Sequence, residues 1–402
     1  MKSIRQVYKI GKGPSSSHTM GPEKAARLFA LLCPEAESFE VILYGSLAKT
    51  GKGHKTDEAI TEALAPRPVK IIFNTDSDIA LLHQNTMDFA AFLGDETLLK
   101  KRYLSIGGGD IISEGEFSAE EEEVYEQNSF AEIAQYCKSH NIRLSEYVRR
   151  MEGEEIFAYL AGIWDAMQQS IMEGLSKTGA LQGGLKVERR AQQLFNQRHM
   201  DESKSTYQTR VCCSYAFAAS EQNADGGRIV TAPTCGSCGV VPAVLKYYKD
   251  EHARKDKEIL DALAVGGIVG LLVKTNASIS GAECGCQAEI GTACAMASAA
   301  LAELSGMGID QIEYAAEIAI EHHLGLTCDP IYGLVQIPCI ERNAVAAMRA
   351  INAVTLANFL TFTRKISLDL IIKTMYDTGR DMNRNYRETS DGGLAKLYKL
   401  QT

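Results

Sequence analysis

GTACAMASAALAEL (residues 291–304), IEYAAEIAIEHH (312–323) and ERNAVAAMRAINAVTLANF (341–359) are runs dominated by alanine and other small or unbranched residues. Their larger apolar side chains recur at three- and four-residue intervals, a helical period, and the small residues between them let helix axes approach closely. From about residue 165 onward this pattern continues, so the second half of the chain is expected to be nearly all helical. Toward the N-terminus the pattern changes. FEVILYGSL (39–47), VKIIFNT (69–75) and KRYLSIGGG (101–109) read as strands, interleaved with helical PEKAARLFALL (22–32) and DEAITEAL (57–64). The expected fold class is therefore a small α+β N-terminal domain followed by a mostly all-α C-terminal domain. A glutamate-rich stretch, SEGEFSAEEEEVYEQ (113–127), follows the last strand run, and amphipathic helices over 129–140 and 144–175 come next. The strand-like runs have stopped by then, which puts the expected domains at 1–150 and 160–402.

At 402 residues the chain is too long for one ordinary core, in keeping with two domains. Lys and Arg number 42 against 51 Asp and Glu, a net charge of -9, and no basic cluster stands out. That balance argues against nucleic acid or an anionic membrane surface as partner. The longest greasy run, ALAVGGIVGLLVK (262–274), ends at Lys274 well short of a bilayer span, and MKSIRQVYKIGKGPSSS has no apolar core of signal-peptide length. A soluble, cytoplasmic protein is expected. Eleven cysteines, an odd number, favour reduced thiols and metal ligation over a disulfide framework.

Three of those cysteines sit in glycine-rich or proline-containing segments with little charge: Cys286 in GAECGCQAEIG, Cys328 in GLTCDP and Cys339 in VQIPCIERNA, at gaps of 42 and 11 residues. They read as cluster ligands, because a buried thiolate needs a cation beside it, and three sulfurs on a four-iron cluster leave one iron open as a Lewis acid. The gaps match no short zinc or ferredoxin pattern, and the alternative is that all three are small buried hydrophobes. A second concentration of chemistry is GKGPSSSHTMGP (11–22), a turn-rich loop before a helix. Ser15, Ser16, Ser17 and Thr19 offer hydroxyls and backbone N–H groups to a carboxylate, and His18 can exchange a proton near neutral pH. Helix capping alone needs one hydroxyl, not four. GSLAKTGKGHKTD (45–57) carries Lys49, Lys52, His54 and Lys55, but Gly51-Lys52 is followed by Gly53, so the phosphate-loop pattern fails.

Together, GPSSSHTMGP, YGSLAKTGKGHKTD, YLSIGGG, NASISGAECGCQAEIG, EHHLGLTCDP and VQIPCIERNA resemble the iron-sulfur-dependent bacterial L-serine dehydratases (L-serine ammonia-lyases) over nearly the whole chain. The resemblance implies a fusion of a β-chain-type domain to an α-chain-type domain with a shortened middle. It implies a [4Fe-4S] cluster on Cys286, Cys328 and Cys339, with the SSSHT loop over it as the pocket for L-serine, and conversion of L-serine to pyruvate and ammonia. His18 is the first choice for the base that takes the α-proton and His54 the reserve; Asn276, Ser278 and Ser280 complete the expected substrate contacts, unless they only cap helix ends. Several family members end in a cysteine that folds back on the open iron; no cysteine follows Cys339 here, so that cap is not expected. Where the family commonly reads TAPTNGACG and GAEVGCQ, this chain has TAPTCGSCG and GAECGCQ, making Cys235 and Cys284 additional thiols that either cap the iron or pack.

His322 and His323 cannot both face a cluster, and a buried His322 is expected behind it rather than on it. Cys33, Cys137, Cys212, Cys213 and Cys294 read as packing residues, and Arg380, Arg384 and Arg387 either reach a carboxylate or solvate a surface. Competing readings are a pyridoxal-phosphate dehydratase using the Gly107–Gly109 turn, a cysteine desulfidase on the same scaffold, and a cluster-bearing redox sensor without turnover. The small-residue helical faces make a homodimer plausible.

Overall fold

The computed structural model describes residues 1–76, 79–113, 123–389 and 391–399; residues 114–122 of the glutamate-rich stretch and the last three of LAKLYKLQT lie outside the described residues. The chain enters through strand β1 (Ile10–Lys12), then a π-helical turn over Ser16–Met20 that runs directly into helix α1 (Gly21–Leu32). Strand β2 (Ser38–Leu43), helices α2 (Gly45–Thr50) and α3 (Thr56–Leu64), and strands β3 (Val69–Phe73), β4 (Thr86–Leu93), β5 (Glu96–Gly107) and β6 (Asp110–Ser113) follow. The sheet order is β3-β2-β4-β5-β6, with β2 and β3 parallel and every other pair antiparallel.

Along β2 the side chains of Phe39, Val41 and Leu43 are buried while those between them are not, so one face of the sheet seeks cover. Helices α1 and α3 supply it, with the Phe29 ring of α1 packed edge-on or tilted against Phe39, Phe89 and Tyr103. The β5–β6 hairpin closes at Gly108 and Gly109, whose φ values of +60° and +78° are what a two-residue turn matching the twist of its strands demands. The triple glycine is thereby accounted for by turn geometry.

The second part is built from helices α4 (Phe130–His140), α5 (Leu144–Glu152), α6 (Glu155–Ser176), α7 (Ala191–Asn196) and α8 (Lys204–Ala224), the short strand β7 (Arg228–Val230), and helices α9 (Val240–His252), α10 (Asp256–Asn276), α11 (Gly281–Cys284), α12 (Thr292–Leu304), α13 (Ile309–Glu321), α14 (Cys339–Leu360), α15 (Leu368–Asp381) and α16 (Gly393–Lys399). Every residue of α12 is buried, as a helix apolar on all sides must be, and α9, α10, α13 and α14 surround it. Ser129 and Glu132 form a capping box at α4. Segment Cys339–Thr363 is long and apolar enough by composition to cross a membrane, and one of its faces packs on α8, α12 and α13.

A small N-terminal sheet region followed by a mostly helical region is the expected architecture. The N-terminal segment adds a feature the sequence did not disclose: Met1, Ile4, Val7 and Tyr8 lie in the helical core, and the Tyr8 hydroxyl donates to Leu263 O at 3.0 Å. Strand β1 then pairs antiparallel with β7, Ile10 opposite Val230. These contacts hold the SSSHT loop, which starts three residues after β1, against the helical part.

Candidate active site

The Ser16–Met20 turn is shaped by its own hydroxyls. Ser15 Oγ accepts from His18 N at 3.1 Å, and Thr19 Oγ1 accepts from Ser15 N at 3.1 Å while donating to His54 O at 2.7 Å. Ser105 Oγ donates to Ser17 O at 2.7 Å and Thr56 Oγ1 to His18 O at 2.6 Å, so β5 and α3 brace the loop. Ser15 and Thr19 therefore hold the loop in place, and Ser17 turns its hydroxyl to His18 Nδ1 at 2.9 Å. The other ring nitrogen, Nε2, lies 2.9 Å from Ser46 Oγ, whose own proton goes to Glu388 O at 3.0 Å. With that proton committed, Ser46 accepts from His18 Nε2–H, which leaves Nδ1 as the atom that accepts from Ser17.

His54 stacks on His18 with ring centroids 4.4 Å apart. Its Nδ1 lies 3.0 Å from Thr50 O and so carries the proton, leaving the Nε2 lone pair pointed at Glu388 Oε1, 3.7 Å away; the same oxygen is 3.6 Å from His18 Nδ1. All three side chains are buried. Burial lowers the pKa of His54 to about 4 and that of His18 well below its usual value, and raises that of Glu388 to about 8, so two neutral imidazoles face a carboxyl group that favours its protonated form.

A depressed histidine pKa makes a stability prediction. Between pH 6.5 and about 4 the unfolded chain binds a proton that native His54 refuses, so His54 alone lowers stability by roughly 3 kcal/mol as pH drops through that window, with His18 adding in the same direction and Glu388, which holds its proton in the folded chain up to about pH 8, acting against both. Urea midpoints of wild type and His54→Gln measured across pH 4 to 7 should isolate the His54 share by difference. Relative to wild type the variant should gain stability as pH drops, and parallel curves would count against a buried neutral His54.

Glu388 also joins this region to the thiols. Its N–H donates to Cys328 O at 2.7 Å, and Cys328 N donates to Tyr386 O at 2.7 Å, a two-bond bridge between the GLTCDP segment and residues 386–388. Cys286 stands at the start of a second π-helical turn, Gln287–Gly291, and Cys339 opens α14. The neighbouring Cys328 thiol first, then Arg342, draws charge onto Cys286 against its burial, whereas Cys286 and burial keep Cys328 protonated. Burial also raises Cys339, and Arg342 lies within electrostatic reach of all three sulfurs. The Arg342 guanidinium is fixed by Nη1 donating to Thr327 O at 2.6 Å. Glu289, held protonated by burial and by Glu388, hydrogen-bonds Thr234 and borders the same space. Among the described residues no three His, Cys, Asp or Glu side chains converge as the ligands of one metal ion would.

Of the expected substrate contacts in the helical part, Ser280 has a buried hydroxyl without a partner, next to Gly281, and its Cβ neighbours Gly107. Ser278 donates to Glu283 Oε2 at 2.6 Å, and Asn276, exposed at the end of α10, donates to Asn128 O at 2.8 Å. The two extra thiols part ways: Cys235 touches Met20 Sδ at 3.4 Å and feels Glu289, while Cys284 packs against Gly379 of α15. The histidine expectation is corrected. His322 is exposed and bonded to Ile318 O, and it is His323 that is buried, against Gly291 and within reach of Arg342. Glu289, Arg342 and Glu388 were missed from sequence, although each lies in or beside a motif that had been read for its cysteine or its arginines.

Comparison with known proteins places this geometry among relatives. A family model for the serine dehydratase beta chain matches residues 3–73, and one for the serine dehydratase alpha chain matches residues 95–395. The chain is 42% identical to L-serine dehydratase 2 of Escherichia coli (strain K12), over 98% of each chain. It is 41% identical to an L-serine dehydratase of Haemophilus influenzae, covering 98% of this chain and 99% of that one, and 39% identical to one of Streptomyces coelicolor over 98% of each.

Proposed function

The chain belongs to the serine dehydratase family, with beta-chain and alpha-chain parts in one polypeptide, and from that premise we propose that it converts L-serine to pyruvate and ammonia with a [4Fe-4S] cluster on Cys286, Cys328 and Cys339. The observation that carries this reading is Glu388: its carboxyl oxygen stands 3.6 and 3.7 Å from the two imidazoles, while its backbone is bonded to Cys328. Proton-accepting groups and thiols therefore border one buried space.

The donor set fits such a cluster. Thiolates are the soft ligands iron-sulfur clusters use, and burial opposes their ionisation unless cations stand by; Arg342 is one and the irons would be others. When bound, a cluster with one iron free of protein ligands supplies Lewis acidity toward a leaving hydroxyl oxygen.

The chain's own residues do the rest. The N-terminus of the continuous Ser16–Leu32 helical run presents N–H groups and partial positive charge for the substrate carboxylate, and the Ser280 hydroxyl is available for a further contact. A neutral imidazole lone pair takes the α-proton, and His54 Nε2 is better placed than His18 because neither loop hydroxyl occupies it. Glu388, favouring its protonated form beside both rings, can return a proton to the departing oxygen. Burial of this centre keeps bulk water from the aminoacrylate until it is released to hydrolyse.

Anaerobic purification with iron and sulfide analysis, followed by pyruvate release from L-serine before and after air exposure, tests the proposal. Four irons per chain and air-labile turnover are expected; an iron-free protein fully active in air would overturn it, and sulfide release from L-cysteine without pyruvate from L-serine would reassign the substrate. A structural check is Gly281→Ala. Its Cβ would stand 2.7 Å from Glu289 Oε2 and 3.1 Å from Cys328 Sγ, so the variant should retain less iron than wild type under identical anaerobic handling.

A further inference from the structure

Of the four groups on the α-carbon of L-serine, three have partners in the proposed turnover: the carboxylate has the Ser16–Leu32 helical run, the hydroxymethyl group the centre held by the thiols, and the α-hydrogen His54 Nε2. The ammonium group has none. Two carboxyl groups border the space, and Glu388 is engaged between the imidazoles at 3.6 and 3.7 Å. Glu289 takes part in none of these steps. It stands three residues after Cys286 in the π-helical turn Gln287–Gly291, and from Cys284 to Leu304 it is the one residue that is not fully buried. Two glycines clear the ground around its carboxyl. A Cβ on Gly281 would lie 2.7 Å from Glu289 Oε2 and 3.1 Å from Cys328 Sγ, and a Cβ on Gly236 would lie 3.5 Å from Oε1. The carboxyl and the Cys328 thiol therefore converge on one position that Gly281 leaves open. Ser280, whose buried hydroxyl lacks a partner, is the neighbouring residue.

We propose that Glu289 receives the α-ammonium of the substrate and thereby restricts the site to amino acids over hydroxy acids, an assignment that rests on the proposed turnover of L-serine. The charges around it favour a cation. Glu388 and Cys286 both oppose a charge on Glu289, while the Thr234 hydroxyl and Arg342 support one, and Arg342 is shared with all three sulfurs. An ammonium that arrives with the substrate supplies the missing positive charge, and a carboxylate is the acceptor that holds such a donor most strongly. Discrimination at a site of this kind is steep, because a ligand without the amine leaves the protein's own polar group unpaired. The same contact orients the substrate. With carboxylate, ammonium and hydroxymethyl group held at three places, the α-hydrogen has one direction left, toward the imidazoles, and the mirror-image amino acid cannot satisfy all three.

L-Serine and 3-hydroxypropionate, which keeps the carboxylate and the β-hydroxyl but has no amine, can be compared as competing ligands of the anaerobically purified, iron-loaded protein. Glu289→Gln should raise KM for L-serine by on the order of 10²-fold, as truncating one member of a buried charge pair does, and leave the inhibition constant of 3-hydroxypropionate within about threefold of wild type or tighter. A side chain that only shapes the pocket would weaken both ligands together. Glu289→Asp keeps the charge but withdraws it by one methylene, so its preference for L-serine should fall between those of wild type and Glu289→Gln. It also carries the test if the glutamine variant does not hold iron. An unchanged KM in iron-loaded Glu289→Gln, an equal loss of both ligands, a wild-type preference in Glu289→Asp, or iron lost from both variants, as from a cluster ligand, would each overturn the assignment. Iron-loaded wild type that releases no pyruvate from L-serine would instead overturn the proposed turnover on which it rests.

Discussion

Serine in place of any one of Cys286, Cys328 or Cys339 is expected to strip iron from the anaerobically purified protein and to lower pyruvate release from L-serine by about 10³-fold or more, the several kcal/mol that a metal ion's stabilisation of developing charge commonly supplies. The three substitutions should act alike although their surroundings differ. Cys286 is perturbed by neighbouring Cys328, Cys328 is clamped by the bridge to Glu388, and Cys339 is carried at the start of a 22-residue helix. A set of three independent packing residues would give three unrelated stability losses instead, with no common spectroscopic change. Cys284→Ala is the matched control: it is a neighbouring buried thiol, but it packs on Gly379 of α15, and its removal should leave iron content untouched. Iron and sulfide per chain, with the visible absorption of the cluster, decide the matter. Any one of the three variants that kept full iron and full turnover would sink the ligand assignment.

That these cysteines stand out in the sequence, and the groups the fold sets around them do not, has a physical explanation. A cysteine in GLTCDP or VQIPCIERNA stands out because thiols are uncommon and glycine or proline beside them points to an irregular, constrained backbone. A glutamate such as Glu388 does not stand out, since nearly all glutamates are solvated; only the fold, which threads residues 386–388 back between Cys328 and Ser46, removes water from it. Arg342 is similar: three residues after Cys339 on α14, it is an ordinary helix residue until Cys286 and Cys328 arrive from other loops. For two of the SSSHT hydroxyls the fold adds a use that the sequence hides. Their number suggested ligand contacts, yet Ser15 and Thr19 satisfy backbone groups that a π-helical turn leaves open, an internal use that composition cannot reveal. At the level of the fold, the alanine-rich runs gave the helical half and the alternating runs the sheet, because each period is local. The passage of Met1–Tyr8 through the helical core is a tertiary fact, set by the fit of Tyr8 against Gly266 and Gly267 of α10, and has no local signature.

His54→Gln is expected to lower kcat by ~10²–10⁴-fold, the usual contribution of a general base, with full iron content and little change in KM. The argument rests on where lone pairs are. His18, the more conspicuous residue in sequence, has Nδ1 against Ser17 and Nε2 against Ser46, so freeing either nitrogen requires a hydroxyl to turn away. His54 needs no such change: Nδ1–H is held by Thr50 O, which fixes the tautomer, and Nε2 faces the space beside Glu388. Glutamine at position 54 can keep an amide donor near Thr50 O but has no group that accepts a proton from carbon. His18→Gln should act differently, disturbing the Ser17 and Ser46 contacts and with them the loop proposed to bind substrate, so its loss should fall on KM as well as on kcat. The primary isotope effect with L-serine deuterated at the α-carbon separates the two. It should rise in His54→Gln as proton removal becomes limiting, and remain near the wild-type value in His18→Gln. If instead His54→Gln stays within about threefold of wild type while His18→Gln loses kcat with a raised isotope effect, the base is His18, and one of its two hydroxyl partners must move when serine binds.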